Sequence, residues 1–169
     1  MQTWDAITSR RNVRSFEDRP IPAADIDRVL EAGWRSPSSQ NWQPWDFILV
    51  TDRDQLRELS HVFPSAYHVA DSAATIAVIG PVADNAYHRA QLDLGQAIMS
   101  MTLAAADLGI GSCHAGVQDM ALARRALGLP EDRDFVLLIS LGYPAGRPLR
   151  PVRHPRRRPF DEVVHRGRW

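Results

Sequence analysis

The segment Pro37-Ser38-Ser39-Gln40-Asn41-Trp42-Gln43-Pro44-Trp45 leads, through Asp46, into the apolar run Phe47-Ile48-Leu49-Val50. Each proline lacks a backbone donor and disfavours helical geometry in the residue before it, so the segment is no helix interior. Its amides and hydroxyls make it too polar for a core strand. A loop that sets such groups beside flat aromatic rings makes one wall for a flat ligand with polar edges. The same residues also read as a turn that tucks Trp42 and Trp45 into the core. On either reading the segment joins a helix to a strand.

Upstream, Ile26, Val29, Leu30, Gly33 and Trp34 recur at helical spacing with Asp27, Arg28 and Glu31 opposite, predicting a core helix over 23–35. Pro20-Ile21-Pro22 is a stiff lead into it. Further back, Thr3 is placed to cap a first helix with Ala6 and Ile7 facing inward, and Val13-Arg14-Ser15-Phe16 alternates like an extended arm. Downstream, residues 46–51 read as a buried strand, and Asp52 with Gln55 as a capping box for a helix whose inner face is Leu56 and Leu59. Residues 73–79 and 135–141 are further strands, closed by Gly80-Pro81 and Gly142-Tyr143-Pro144. The interval 63–71 has no clear period and reads as a candidate flap.

The longest helix is predicted over 87–108, about 30 Å at 1.5 Å per residue. Asp93, Gln96, Ser100 and Asp107 form one polar stripe on it, and most of the remaining circumference is apolar or small. A helix apolar over so wide an arc is buried on several sides, which suggests a central position and a subunit interface. Gly109 and Gly111 follow without the third glycine or the preceding strand of a dinucleotide fingerprint. That stretch is a helix-to-strand turn, or backbone brought close to a ligand beside the small residues Ala115 and Gly116. A last helix over 119–127 stops at Gly128. Beyond it, the Pro- and Arg-rich tail from Pro151 has no core periodicity, so it is either disordered or an arm laid on a partner; Phe160, Val163, Val164 and Trp169 favour the arm.

Composition narrows the classes. The chain has 169 residues, 44% hydrophobic and 24% charged, as expected for one soluble domain with a sizeable core. Its formal net charge of +0 supplies no global field for nucleic acid or an anionic membrane, and no apolar run approaches the ~20 residues of a membrane span. The single cysteine, Cys113, excludes an internal disulfide framework and a Cys-based zinc site. The N-terminus shows no signal-peptide pattern, so a reducing cytoplasm is expected. All 20 basic side chains counted as Lys or Arg are arginine. Arg10, Arg11 and Arg14 crowd a helix-to-strand junction, either as a solvated face or as a cluster converging on one phosphate, for which the guanidinium fork is well shaped.

Taken together, these landmarks resemble the FMN-dependent nitroreductase family over most of the chain. The resemblance lies in Arg10-Arg11-Asn12-Val13-Arg14, the Pro37–Trp45 segment, Leu94-Gly95-Gln96, Leu108-Gly109-Ile110-Gly111-Ser112-Cys113, Leu141-Gly142-Tyr143-Pro144 and Arg157-Arg158-Pro159. It implies an α+β fold with a central, mostly antiparallel sheet flanked by helices. It further implies a core over 1–150 and an arm over 151–169 exchanged in a homodimer, with FMN at the subunit interface. By that resemblance Arg10, Arg11, Asn12 and Arg14 would hold the FMN phosphate, joined by Arg157 from the arm, with Arg158 one register away. Pro37, Ser38, Ser39 and Asn41 would run along the flavin ring, and the Ala115-Gly116 backbone would face its N5 side. Some relatives carry Glu or Gly where Ala115 stands, so no side-chain role is expected there.

The resemblance implies a cytoplasmic flavoprotein that takes hydride from NADH or NADPH and passes two electrons to a small-molecule acceptor, by ping-pong kinetics, with no metal and no nucleic acid. The chemistry is then centred on the flavin, and no side chain is singled out as catalytic. Cys113 and His114 read as packing or supporting groups. Dehydrogenation of a specialised metabolite, or flavin binding without turnover, are the alternatives. The short span from Gly80 to Leu92 leaves little room for a lid, so an open pocket is expected, or one closed by residues 63–68.

Overall fold

The computed structural model describes residues 2–82 and 87–169. Its centre is a four-stranded sheet of β1 (Asp46–Val50), β2 (Ala74–Pro81), β4 (Arg133–Gly142) and β3 (Gly111–Ala115), in that spatial order and antiparallel throughout. The two most continuous apolar runs, β2 and β4, take the centre, where both faces are covered. β1 had been expected to be buried, yet it lies at an edge and leaves Leu49 exposed. Only its last residue, Val50, is fully enclosed.

Helices cover both faces. On one side, Ile76, Val78, Ile139 and Leu141 of the sheet pack against α2 (Ala23–Trp34) and α4 (Tyr87–Asp107), with Val29, Ala97 and Met101 at the contact. On the other side, Ala77, Ile79 and Leu138 meet α3 (Arg53–Leu59) and α5 (Met120–Leu127). Leu56 and Leu59 are fully enclosed there, as their spacing predicted; each contributes about 1.5–3 kcal/mol by burial. Asp52 caps α3 by accepting from the Gln55 N–H. The Gln55 amide does not return the bond but donates to the Ala126 carbonyl, tying α3 to α5. At Gly33 a Cβ would lie 2.8 Å from Met101, so glycine sets how closely α2 approaches α4.

Three local expectations differ from what is found. In α1 (Thr3–Ser9) the cap position is Gln2, without a side-chain bond, and Thr3 is already helical. Ala6 is buried but Ile7 is 47% exposed, because a two-turn helix presents only a narrow face inward. Trp34 ends α2 at 60% exposure rather than inside the core. The interval 63–71 is no flap: Pro64–Val69 forms a 3-10 turn with Ala66, His68 and Val69 buried. Periodicity failed there because a 3-10 turn repeats every three residues. Of the Gly80–Leu92 span expected to be too short for a lid, residues 83–86 lie outside the described residues.

The N-terminal arm follows α1 across the β3–β4 edge. Asn12 pairs parallel with Ser112, Phe16 pairs antiparallel with Pro144, and the Val13 N–H donates to the Ser112 carbonyl at 2.9 Å. Two glycines admit it: a Cβ on Gly111 would lie 2.8 Å from Val13, and one on Gly142 2.6 Å from Phe16.

Candidate functional site

The arm delivers three arginines to one corner. Arg10 Nη1 donates to Asn12 Oδ1 at 3.3 Å, and Arg11 Nη2 donates to the Arg147 carbonyl. Arg11, Asn12 and Arg14 line an open cavity of about 490 Å³ with Tyr67, Pro144 and Arg147. Its lining holds three guanidinium groups and no carboxylate. Such a corner binds an anion and repels a cation. Arg10 does not line that cavity; it holds Asn12, and its charge is felt at His114.

Beneath these charges lies a buried polar cluster. His68 Nδ1 and Ser140 Oγ are 2.7 Å apart, and Ser140 Oγ donates to the Cys113 carbonyl at 3.2 Å. The serine proton is thereby used, so His68 donates from Nδ1, and its buried Nε2 has no hydrogen-bond partner among the described residues. Burial lowers the His68 pKa, and the Arg14 charge lowers it further. His114 is lowered by burial and then by Arg10. Burial pushes the Cys113 thiol up, against the pull of Arg14 and Arg10. Burial thus favours the neutral form of all three groups and disfavours a thiolate at Cys113.

The Pro37–Trp45 segment folds as a loop with both predicted tendencies. Trp45 is buried and stacks on Phe47, with ring centroids 6.5 Å apart, while Pro37, Ser39 and Asn41 face solvent and Ser38 is half-buried. Gln40, Asn41 and Gln43 all sit in the left-handed region, at φ 52°, 57° and 55°. For residues other than glycine each costs on the order of 1–2 kcal/mol, so the surroundings must impose it. Within the loop, Ser38 Oγ accepts from the Gln43 N–H at 2.8 Å. The Ser39 N–H donates to Asp93 Oδ2 of α4 at 3.0 Å.

Ala115 closes β3 with its side chain buried, and a Cβ on Gly116 would meet nothing within 4 Å. From Ser112, beside the arginine corner, to Gly116 is four strand steps, or about 14 Å along the edge of β3. Arg157 lies on the exposed tail and, among the described residues, donates only to the Arg156 carbonyl, at 2.9 Å, whereas Arg158 turns back onto Glu162.

Within one chain the predicted residues fall into separate groups. Arg10, Arg11, Asn12 and Arg14 adjoin the β3 end that follows α4. Pro37, Ser38, Ser39 and Asn41 adjoin the start of β1, at the opposite edge of the sheet and beside the other end of α4. From Asp93 to Asp107 that helix runs about 21 Å. Three residues at these places were not singled out by sequence reasoning as site residues: Arg147, Tyr67 and Asp93. Asp93 was visible as an acid in an apolar helix, and Tyr67 falls within 63–68, the segment expected to close the pocket if it is not open; Arg147 carried no signal, since only the tertiary fold brings it to the arm. Among the described residues no cluster of His, Cys, Asp and Glu suits a metal ion, and no helix is long and apolar enough to cross a membrane.

A three-layer α+β fold with an arginine corner and a strained amide loop defines the class, and comparison with known proteins places the chain in it. The model of the nitroreductase family matches residues 7–78 and 60–143, and the chain belongs to that family. A protein of Archaeoglobus fulgidus with the provisional name NADH dehydrogenase/NAD(P)H nitroreductase is 36% identical over 144 residues, covering 82% of this chain and 83% of its own. The NADPH-flavin oxidoreductase of Vibrio harveyi is 26% identical over 183 residues, covering 99% and 74%. Among solved structures, one from Parabacteroides distasonis with the same provisional name superposes with a TM-score of 0.86 at 29% identity, covering 100% of this chain and 99% of that one. The fold implied by the resemblance is the fold found.

Proposed function

We propose that the protein is an FMN-dependent oxidoreductase that takes hydride from NADH or NADPH and passes two electrons to a nitro compound, quinone or similar acceptor. The observation that carries this reading is the edge of β3, with a guanidinium-lined cavity at one end and uncovered Gly116 backbone at the other, about 14 Å on. An elongated ligand with a phosphate at one end and a flat ring at the other matches that spacing and polarity. Arg11 and Arg14 hold the phosphate by charge-assisted bonds, with Arg10 and Asn12 beside them. FMN held there would supply the two-electron chemistry of a ping-pong exchange between the nicotinamide and the acceptor.

The protein's part is to bind, orient and exclude water. Pro37, Ser38, Ser39 and Asn41 belong to the same site although one chain keeps them apart. In a two-fold dimer packed along α4, antiparallel helices bring the start of one α4 beside the end of the other, and so the loop of one protomer to the arginines of its partner. Leu92 and Met99 on α4 are exposed in the single chain, as a helix awaiting such a contact would be. The 151–169 arm crosses to the partner and adds Arg157, which has no carboxylate partner among the described residues, to the phosphate. The Ala115–Gly116 backbone lies at the ring.

The test is the visible spectrum of the purified protein under anaerobic conditions. A bound-flavin band that bleaches with NADH or NADPH, and returns only on later addition of a quinone or nitroaromatic, is expected. A protein that neither retains nor binds added FMN contradicts the reading, and one whose band does not bleach binds flavin without turnover.

A further inference from the structure

The polar stripe of α4 is out of place on a helix apolar over the rest of its circumference, and neither the core nor the arginine corner uses it. Asp107 pairs with Arg28 of α2 at 3.0 Å, but Asp93 and Ser100 are spent on one segment. Asp93 Oδ2 accepts from the Ser39 N–H at 3.0 Å, and Ser36 Oγ donates to Ser100 Oγ at 2.8 Å. Ser100 Oγ donates to the Gln96 carbonyl at 2.9 Å, and the single Ser36 proton is shared between Ser100 Oγ and the Ala32 carbonyl 3.1 Å away.

The two spacings match. Asp93 and Ser100 are seven residues apart, two helical turns or about 10.5 Å. Ser36 and Ser39 are three residues apart, about 10 Å of nearly extended chain. The helix thus works as a ruler against which residues 36–39 are laid. Directly beyond that anchor come the left-handed residues Gln40, Asn41 and Gln43. A loop with such backbone needs an external hold, and Asp93, itself only 2% exposed, supplies one from inside the molecule.

We infer that Asp93 is a positioning residue: with Ser100 it fixes residues 36–39 on α4, so that the following loop presents Ser38, Ser39 and Asn41 to a flavin ring at a set height. This rests on the flavin reading of the site. Because α4 also carries the proposed subunit contact, the dimer helix and the ring-edge loop are one mechanical unit. Asp93 touches no ligand; it acts through the Ser39 backbone.

Titrations with FMN and with riboflavin, which lacks the phosphate, separate this role from the arginine corner. Asp93→Ala is expected to weaken both flavins by the same factor, about tenfold, whereas Arg14→Ala weakens FMN and leaves riboflavin unchanged. Asp93→Asn keeps an acceptor oxygen and is expected within about threefold of the parent. In the flavin-free proteins, amide hydrogen exchange at residues 39–43 should quicken in Asp93→Ala and stay near the parent rate in Asp93→Asn. Riboflavin affinity unchanged in Asp93→Ala, or Asp93→Asn as impaired as Asp93→Ala, overturns the inference. If the parent binds neither flavin, the flavin reading fails, and unchanged exchange at 39–43 in Asp93→Ala then shows separately that the anchor is absent.

Discussion

At the scale of the residue, charge and burial separate Arg14 from the groups beneath it. Arg14 is exposed and makes no hydrogen bond among the described residues, so Arg14→Ala should leave the fold intact and lower FMN affinity about tenfold or more, the worth of a charge-assisted bond. Dialysis with FMN beside a thermal melt checks both halves. His68 and His114 are each held below the ordinary histidine value of 6.5. The unfolded chain therefore binds more protons than the folded one below that value. Stability from this source is complete above pH 6.5 and is lost as pH falls toward the folded pKa values. Urea unfolding midpoints from pH 8 to 5 should show the decline. His68→Asn, whose amide donates to Ser140 without titrating, should make it shallower. Cys113 is fully buried, with its pKa raised, so a thiol reagent at pH 8 should label it only on unfolding. Rapid labelling of the native protein contradicts that account. Arg10, Arg11 and Arg14 could be read in sequence because arginine close to a chain reversal is conspicuous. Arg147 could not, since its place depends on how the loop after β4 turns back to the arm.

At the scale of the element, the long helix, the central strands and the capped helix α3 were legible because each rests on local periodicity or a local cap. The exposed end of α2 and the 3-10 turn at 64–69 were not. Whether Trp34 is covered depends on neighbours distant in sequence, and a 3-10 turn carries no helical or strand period. The N-terminal arm is held by close approach, not by its own propensity, which makes Gly142 a sensitive position. Gly142→Ala sets a methyl group against the Phe16 ring and should lift the arm from β4. Overpacking of this kind costs about 1–3 kcal/mol. The expected result is a lowered melting temperature together with weaker FMN binding, because Arg14 moves with Phe16. Loss of stability with FMN affinity unchanged would show that the arm and the phosphate site are separate.

At the scale of the whole molecule, the sheet order β1-β2-β4-β3 puts the two groups of candidate residues at opposite edges, so the proposed site would need a second chain to complete it. The single sequence carried both groups without showing that they stay apart. Separation is a property of topology, which periodicity does not record. The tail from Pro151 has the same character: every residue of it is exposed in one chain, Trp169 at 99%, as the proposed arm laid on a second chain requires. Removing residues 151–169 should weaken the dimer and release FMN, as light scattering and the visible spectrum would show together. A truncated protein that remains dimeric and yellow would contradict the assignment of the arm.

The shared site is tested most directly by complementation. Arg14→Ala damages the phosphate end of both sites in a homodimer, and Asn41→Ala the ring end. A heterodimer of the two variants, isolated by distinct tags, should contain one intact site and one doubly damaged site. FMN titration is expected to recover parent-like affinity at one flavin per two chains. A heterodimer that binds no better than either parent homodimer would show that the arginines and the loop do not meet across the interface.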